Sequence, residues 1–193
     1  DLGCAVGRST FELARYCKQS IGIDLSDSFI TTARELQQHG QIDYSFIIEG
    51  EVEQVAIARV PTEIDRSRVS FEQGDAMFLR NDLGKFNIVL MANLIDRLPC
   101  PKKCLDQLAD LIYSEGQLII ASPCTWMEDY TPKEEWLGGS IIGDQSSQTL
   151  DRLKEILCPS FELHGKLDIP FLIREHARKY QWSVAMATRW IRR

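Results

Sequence analysis

The first seven residues, Asp1–Gly7, hold the residue types that most directly indicate ligand chemistry. An acidic residue and a leucine are followed by a glycine, three small or apolar residues and a second glycine, and a helical pattern starts at Arg8. Such a turn between a strand and a helix brings backbone N–H groups to the start of the helix, where they suit a carboxylate or a phosphate. A ligand can still approach the backbone at Ala5, provided that Ala5 keeps φ below zero.

A second carboxylate follows at the spacing expected for a nucleoside site. The apolar strand Ser20–Asp24 ends in Asp24, which stands about twenty residues after the turn. An acid at that position can accept hydrogen bonds from both hydroxyls of an adenosine ribose. We therefore expect an adenosine-containing ligand. The alternative interpretation is that Asp24 only caps the next helix.

Two further polar groups follow later strands of the predicted sheet. Asp75 comes after strand Val69–Gln73 and is expected to accept from an adenine amino group, while the N–H of Ala76 reaches a ring nitrogen. The alternative is a turn aspartate that caps a short helix. Asn93 comes after Phe86–Ala92, and it is expected to face the cofactor, because ligands of open α/β sheets bind at the carboxyl ends of the strands.

Candidates for binding a second substrate lie further along the chain. Asp96 or Arg97 is expected to reach that substrate, with a helix cap and a surface ion pair as the alternative. Residues 123–147 are rich in Trp, Tyr, Pro, Gly and acids, and they are too many for an ordinary connection. We expect this insert to form a lid or pocket wall on the substrate side. The alternative is a loop that its tryptophans pin to the core.

The elements that position these residues alternate between strands and helices. This pattern predicts one α/β domain over 1–193, with a mainly parallel, doubly wound sheet and an antiparallel last strand. The almost continuous apolar run at Phe86–Ala92 is typical of a parallel strand covered on both faces. Further predicted elements are helices at 8–18, 27–39, 101–113 and 150–157, a hairpin at 42–48 and 52–60, and strands at 117–121, 161–167 and 180–191. A helix is the alternative for residues 52–60.

Composition limits the class of protein. The chain has 193 residues, of which 44% are hydrophobic and 26% charged, as is ordinary for a soluble globular domain. A net charge of −6 argues against nucleic acid as a partner, and no run approaches the ~20 apolar residues of a membrane span. The six cysteines are scattered, which favours reduced thiols in a cytoplasmic protein over disulfides or a metal site. Because almost no strand precedes Asp1, we expect a truncated first strand and a longer parent protein.

Acids at three successive strand ends, together with the glycine turn, resemble the class I S-adenosylmethionine-dependent methyltransferases. The turn resembles their first motif, Asp24 their ribose acid and Asp75 their adenine contact, and the resemblance extends to about Ala121. It implies a Rossmann-like fold and S-adenosyl-L-methionine as cofactor, with S-adenosyl-L-homocysteine as product. The residues that it implies for cofactor binding are Asp1, Gly3, Cys4, Ala5, Gly7, Thr10, Asp24, Leu25, Asp75, Ala76, Asn93 and Leu94.

Four segments carry a narrower resemblance over essentially the whole chain. Residues 92–98, 122–126, 131–139 and 173–180 resemble the C-terminal methyltransferase domain of the ovothiol-biosynthesis synthase. That family fuses an iron-dependent sulfoxide synthase to a methyltransferase that acts on 5-thiohistidine. The resemblance implies methylation of an imidazole nitrogen of a small amino acid, an upstream fused domain that holds the iron, and no metal in this chain.

The implied chemistry is an in-line displacement at an already activated methyl group, so positioning supplies most of the catalysis. A neutral imidazole nitrogen has a lone pair and needs no base. If a base takes part, the candidates for this catalytic role are Asp96, Glu128 and Tyr130. The candidates for substrate binding are Asn93, Arg97, Trp126, Trp136 and Arg174. Arg174 would pair with the carboxylate group of the acceptor, and Asp96 would pair with its amino group.

Three alternatives stay open at the level of sequence. The first is a methyltransferase for another small-molecule acceptor. The second is an NAD-dependent dehydrogenase, which also places an acid after its second strand but has a more regular glycine pattern. The third is a non-catalytic module that binds the adenosyl group and lacks an acceptor pocket.

Overall fold

The computed structural model describes residues 1–142 and 145–193, and their contacts divide into two compact units. The first unit comprises Asp1, Gly3–Gly74 and Pro170–Ser183, and the second comprises Leu2, Asp75–Ile169 and Val184–Arg193. The predicted insert at 123–147 contains Gly143 and Asp144, which lie outside the described residues. One domain over 1–193 stays a prediction.

The first unit is built on a parallel strand pair flanked by two helices. Strand β1 (Ser20–Asp24) pairs in parallel with β4 (Val69–Gln73), so that Ser20 lies opposite Val69 and Asp24 opposite Gln73. The hairpin predicted around residues 42–60 is confirmed, and its two strands are antiparallel. The elements are α1 (Arg8–Leu13), β1 (Ser20–Asp24), α2 (Asp27–His39), β2 (Gln41–Glu49), β3 (Val52–Arg59), a 3-10 turn (Arg66–Arg68) and β4 (Val69–Gln73).

Local signals explain the bounds of α2. The hydroxyl of Ser26 accepts a hydrogen bond from the Phe29 N–H at 3.3 Å, which caps the first turn of the helix. Gly40 has φ 77° and ends the helix in the left-handed conformation that glycine adopts without strain. Between these caps, Ile30, Ala33 and Leu36 recur at helical spacing and are buried, so that one face of α2 packs on the core.

Gly22 allows α1 and the turn before it to pack directly against β1. A Cβ atom at Gly22 would lie 2.7 Å from Phe71 Cδ1, 2.7 Å from Thr10 Oγ1 and 2.8 Å from Cys4 Sγ. Phe71 in turn contacts Phe11 edge to face, with ring centroids 5.3 Å apart. The core of the first unit therefore depends on the absence of a side chain at one position of its strand.

The second unit contains most of a four-stranded sheet. Its strand order is β5 (Phe86–Ala92), β6 (Ile112–Ser122), β10 (Lys179–Arg192) and β9 (Phe161–His176). Strand β5 is parallel to β6, and β10 is antiparallel to β6 with Ala187 opposite Ala121. Leu2 forms a parallel bridge with Met91, and its N–H donates to the Leu90 carbonyl at 2.9 Å. The elements are β5 (Phe86–Ala92), a 3-10 turn (Ile95–Arg97), α3 (Pro101–Asp106), α4 (Leu108–Leu111), β6 (Ile112–Ser122), a 3-10 turn (Lys133–Glu135), β7 (Ile141–Ile142), β8 (Gln145–Ser146), α5 (Thr149–Leu157), β9 (Phe161–His176) and β10 (Lys179–Arg192), with residues 170–183 of the last two strands in the first unit.

These pairings confirm the predicted α/β class with parallel strands and an antiparallel last strand, but three element bounds differ. Helix α1 ends at Leu13 and does not reach residue 18, and β9 extends to His176. The helix predicted at 101–113 is interrupted after Asp106, and Ile112 already belongs to β6. Ile112 is 1% exposed, and a buried apolar residue at that position fits a helix face and a strand equally well.

The close packing at Gly22 leads to a prediction about stability. We expect Gly22→Ala to lower the free energy of unfolding by about 1–3 kcal/mol, because its methyl group would overlap three core atoms. Gly165→Ala in β9 is the matched control, since nothing lies within 4 Å of a Cβ at that position. Thermal and urea unfolding of both variants measures the difference, and equal stability of the two would show that the core around β1 is loosely packed.

Candidate functional site

The turn at Asp1–Gly7 adopts left-handed backbone conformations at three positions, with φ 73° at Gly3, 46° at Ala5 and 90° at Gly7. At Gly7 a Cβ atom would lie 2.4 Å from Phe71 Cζ, so both conformation and space require glycine there. The expectation that Ala5 keeps φ below zero is wrong. A non-glycine residue in this conformation needs support from its surroundings.

Hydrogen bonds within the first unit supply that support, and they use the N–H groups of the turn. Gly3 and Cys4 both donate to the Ile23 carbonyl, at 2.8 and 3.1 Å, and Gly7 donates to the Cys4 carbonyl at 2.9 Å. Ala5 donates to the Asp24 carboxylate at 2.8 Å. The prediction that these N–H groups are free to bind a phosphate or carboxylate is therefore wrong for these four residues.

Asp24 lies at the carboxyl end of β1 and accepts one backbone N–H on each carboxylate oxygen. Its Oδ2 accepts from Ala5 at 2.8 Å and its Oδ1 from Ser26 at 2.9 Å. A carboxylate offers about four lone-pair positions, so each oxygen retains one for a further donor. The side chain is only half-buried, and the neighbouring Leu25 is 68% exposed. Asp24 therefore presents a fixed acceptor pair beside an exposed apolar side chain.

Asp1 and Thr10 hold the start of α1. The Oδ2 atom of Asp1 accepts from the hydroxyls of Ser9 and Thr10, at 2.7 and 2.6 Å. Thr10 is fully buried, so its side chain supports the turn, and its predicted contact with a cofactor stays a prediction. Burial, with a smaller contribution from the nearby Asp24 charge, raises the pKa of the Cys4 thiol to about 11. Cys4 is thus a neutral packing residue at physiological pH.

In the second unit, Asp75 accepts a hydrogen bond from the Met77 N–H at 2.8 Å through its Oδ1 atom. This is the turn-capping arrangement that the sequence left open as an alternative. Ala76 is buried with 8% exposure. The adenine contact of these two residues stays a prediction.

Asn93 directly follows β5 and has φ 56°. Its N–H donates to the Ala121 carbonyl at 2.7 Å, and its side chain is exposed. Leu94, the next residue, is half-buried. Asparagine tolerates the left-handed region better than most residues do, and such positions are concentrated at functional sites. The placement at a strand end agrees with the predicted position of Asn93, and its role stays a prediction.

Asp96 is fully buried and holds together the loop that follows β6. Its Oδ1 accepts from the Ser122 hydroxyl at 2.9 Å, and its Oδ2 accepts from the Thr125 N–H at 3.0 Å. Arg97 Nη1 completes the cluster with bonds to Asp96 Oδ2 at 3.1 Å and to the Thr125 carbonyl at 3.0 Å. With no exposed surface, this carboxylate does not reach a substrate, which corrects the prediction of Asp96 as a base or substrate contact.

The aromatic residues of the insert are anchored in part. Trp126 Nε1 donates to the Thr149 hydroxyl at 3.0 Å, and Trp136 Nε1 donates to the Thr131 carbonyl at 2.7 Å. Both indoles are half-buried, which agrees with the pinned-loop alternative. Tyr130 is 46% exposed, with the Arg97 guanidinium 4.7 Å from its ring centroid, and Glu128 is exposed.

The same insert forms one wall of a cleft in the second unit. The cleft has a volume of about 1010 Å³, and its walls include Lys133, Trp136, Leu137, Gln148 and Arg152. This volume is at the upper end of what small-molecule sites usually offer. Trp136, which the sequence predicts for substrate binding, lines this cleft.

Arg174 lies in the first unit, where its guanidinium is engaged by the β2–β3 hairpin. Its Nη2 donates to the Tyr44 hydroxyl at 3.1 Å, and its Cζ lies 3.9 Å from the Phe46 ring centroid. That Arg174 pairs with an acceptor carboxylate stays a prediction.

Over residues 1–142 and 145–193, no three His, Cys, Asp or Glu residues cluster as metal ligands do. No helix in the described part of the chain combines the length and apolar character needed to cross a membrane.

Comparisons with known proteins bear on the fold and the family. The family model described as a methyltransferase domain matches residues 1–120. Comparison with curated proteins gives no match. Among solved structures, the chain resembles the N-methyltransferase NodS of Bradyrhizobium japonicum in complex with S-adenosyl-L-homocysteine, with 14% identity, a TM-score of 0.59, and coverage of 99% of this chain and 75% of that one.

Two further structures are similar. Magnesium protoporphyrin IX methyltransferase (ChlM) of Synechocystis with bound SAM has 15% identity and a TM-score of 0.59, with coverage of 100% and 68%. The YcgJ protein of Bacillus subtilis has 12% identity and a TM-score of 0.60, with coverage of 100% and 90%. At these identities the likeness shows the fold, and it confirms the predicted Rossmann-like architecture.

The Asp96 cluster yields a prediction that separates it from the exposed acids of the insert. We expect Asp96→Asn to destabilise the chain by about 2–4 kcal/mol, because an amide nitrogen would face donors that now share one carboxylate. Asp129→Asn, at an exposed position of the insert, is the control and should change stability by less than about 0.5 kcal/mol. Urea unfolding measures both. Equal stability of the two variants would show that the Asp96 cluster does not hold the loop.

Proposed function

Because the chain belongs to the methyltransferase-domain family, we propose that it transfers a methyl group from S-adenosyl-L-methionine to a small-molecule acceptor. The observation that carries this proposal is the Asp24 carboxylate, fixed by two backbone N–H groups beside the glycine turn. Bound S-adenosylmethionine would supply a methyl group that its positive sulfur has already activated for transfer. The choice of donor is supported by ChlM, whose structure holds SAM, and by NodS, whose structure holds S-adenosyl-L-homocysteine.

The donor atoms of the first unit fit the ribose of that cofactor. Asp24 keeps acceptor capacity for two hydroxyl donors, and a carboxylate would repel a phosphate at the same position. The N–H groups of Gly3, Cys4 and Ala5 are already bonded within the unit, so they do not bind a pyrophosphate. This chemistry favours a nucleoside without phosphates and speaks against the alternative of an NAD-dependent dehydrogenase.

The residues of the chain contribute mainly by holding and orienting. Ala5 and Ser26 fix the Asp24 carboxylate, so its oxygens need no reorganisation when they accept hydroxyl groups. Asp96 acts as a positioning residue, because it holds Arg97 and the backbone of Thr125 in the loop after β6. Exposed Glu128 and Tyr130 remain the candidates for accepting or orienting an acceptor proton.

For the acceptor, we propose the imidazole nitrogen of 5-thiohistidine, in the reaction that belongs to ovothiol biosynthesis. The support is the sequence resemblance over 92–98, 122–126, 131–139 and 173–180, together with a cleft lined by Trp136 that suits a small molecule. Fusion to an upstream iron-dependent sulfoxide synthase and a cytoplasmic location belong to the same proposal. Another small acceptor and a non-catalytic adenosyl-binding module are the competing functions that the experiments below separate.

The ribose assignment predicts a loss of affinity for S-adenosylhomocysteine in Asp24→Asn. Removing charge-assisted hydrogen bonds should weaken binding by about 2–3 kcal/mol, or about 30–150-fold, when measured by isothermal calorimetry. Asp27→Asn, three residues away in the exposed first turn of α2, should bind as the parent does. If Asp24→Asn is folded by circular dichroism and binds within about threefold of the parent, Asp24 does not hold the ribose.

The acceptor assignment predicts which step the insert controls. We expect Trp126→Phe to raise the KM for 5-thiohistidine or lower kcat about tenfold while donor affinity stays within about threefold. The indole hydrogen bond to Thr149 is lost in this variant, but the ring volume is largely kept. Leu167→Ala, an exposed residue of β9, is the control. Turnover of an acceptor panel without 5-thiohistidine would favour another small acceptor, and donor binding without any turnover would favour the non-catalytic module.

A further inference from the structure

The β2–β3 hairpin has one covered face and one open face. On the covered face, Ile42 and Ala58 pack against the core of the first unit, and Arg174 lies over Phe46. The open face carries Ile47, Val55 and Ile57, which are 43%, 69% and 42% exposed. A two-stranded hairpin is marginal by itself, and an apolar face of this kind is usually covered.

The outer edge of β3 is open as well. Within the described residues, β3 pairs with β2 and with no other strand. The Val60 N–H donates to the Gly40 carbonyl, so these two residues form a hydrogen-bonded pair of the antiparallel ladder. Hydrogen-bonded and non-hydrogen-bonded pairs alternate along such a ladder. The N–H and C=O groups of Val55 and Ile57, which belong to non-hydrogen-bonded pairs, therefore point away from β2. The eight residues of β3 contain no proline, and the register shift of the hairpin lies at Ile47–Glu49 in β2. A proline and a bulge, two of the devices that usually prevent strands from pairing, are therefore absent from β3.

The order of side chains along this edge is complementary to itself. Glu53, Val55, Ile57 and Arg59 alternate with the residues of the covered face and therefore share the open face. When a second β3 pairs with it antiparallel about a two-fold axis at Ala56, Val55 lies opposite Ile57 of the partner subunit. In the same register Glu53 lies opposite Arg59 of the partner subunit, and the contact occurs twice. An acidic residue at one end and a basic residue at the other thus meet their opposites.

We infer that β3 is the interface of a homodimer, in which two hairpins join into one four-stranded antiparallel sheet. The occupant of the open edge is a second copy of this chain. The backbone groups of the edge then gain ladder partners, and the apolar stripes of the two copies become continuous. Charge complementarity in an antiparallel register favours this partner over an unrelated strand, which would need its own matching pattern.

The test is the oligomeric state of the chain over about 1–200 µM by sedimentation velocity and light scattering. The unaltered 193-residue chain should approach twice its mass of 22.0 kDa as its concentration rises. Glu53→Arg should raise the dimer dissociation constant at least about tenfold, because it places two cations opposite each other. The double variant Glu53→Arg with Arg59→Glu should restore dimerisation, since the exchanged charges again meet their opposites.

Two more variants separate the interface from the fold. Val55→Pro removes an outward N–H without touching the ladder to β2, and it should give a monomer with a parent-like circular dichroism spectrum. Leu172→Lys removes an apolar side chain that is 61% exposed on β9 rather than on β3, and it should leave the dimer intact. A parent that stays monomeric over the whole range overturns the inference. So does a dimer that Val55→Pro and Glu53→Arg leave unchanged, or one that the double variant fails to restore.

Discussion

The hydrogen bonds of the Asp24 carboxylate are the interaction on which the candidate site depends. One oxygen binds the Ala5 N–H and the other binds the Ser26 N–H, so a single side chain at the end of β1 ties together the turn before α1 and the start of α2. Ala5 has φ 46°, and a conformation of this kind persists only where its surroundings hold it. The same carboxylate that stabilises the turn also presents the acceptor atoms that would recognise a ribose. Structure and recognition are therefore not separable at this residue.

The second unit uses an acid in the opposite way. Asp96 has no exposed surface, and its oxygens are taken up by Ser122, Thr125 and Arg97. A buried carboxylate is tolerable only when donors surround it, and here they come from the loop that follows β6. These bonds fix the start of the insert, whose residues Glu128 and Tyr130 are exposed. The two acids show that burial and partners, rather than residue type, decide whether a carboxylate keeps acceptor atoms at the surface.

The sequence predicted those features that rest on local signals. Ser26 and Gly40 mark the ends of α2 through capping and turn chemistry, and the hairpin around Gly50 follows from alternating residues on either side of a turn. The helix predicted to reach residue 113 fails at Ile112, because an apolar residue there fits a helix face and a buried strand alike. Local sequence signals do not predict that the N–H groups of the turn are hydrogen-bonded or that Asp96 is buried. Their partners, Ile23 and Ser122, lie about twenty or more residues away, and only the tertiary fold brings them together.

The central claim is that this methyltransferase domain holds its donor by the ribose hydroxyls, and it is best tested from the ligand side with the unaltered chain. Calorimetric titration would compare S-adenosylhomocysteine with its analogue that lacks both ribose hydroxyls. If Asp24 accepts those hydroxyls, the analogue should bind at least about tenfold more weakly, because each lost bond leaves a charged acceptor without its donor. Equal affinity for the two ligands would contradict the account, since the acceptor pair that Ala5 and Ser26 hold in place would then have no part in recognition.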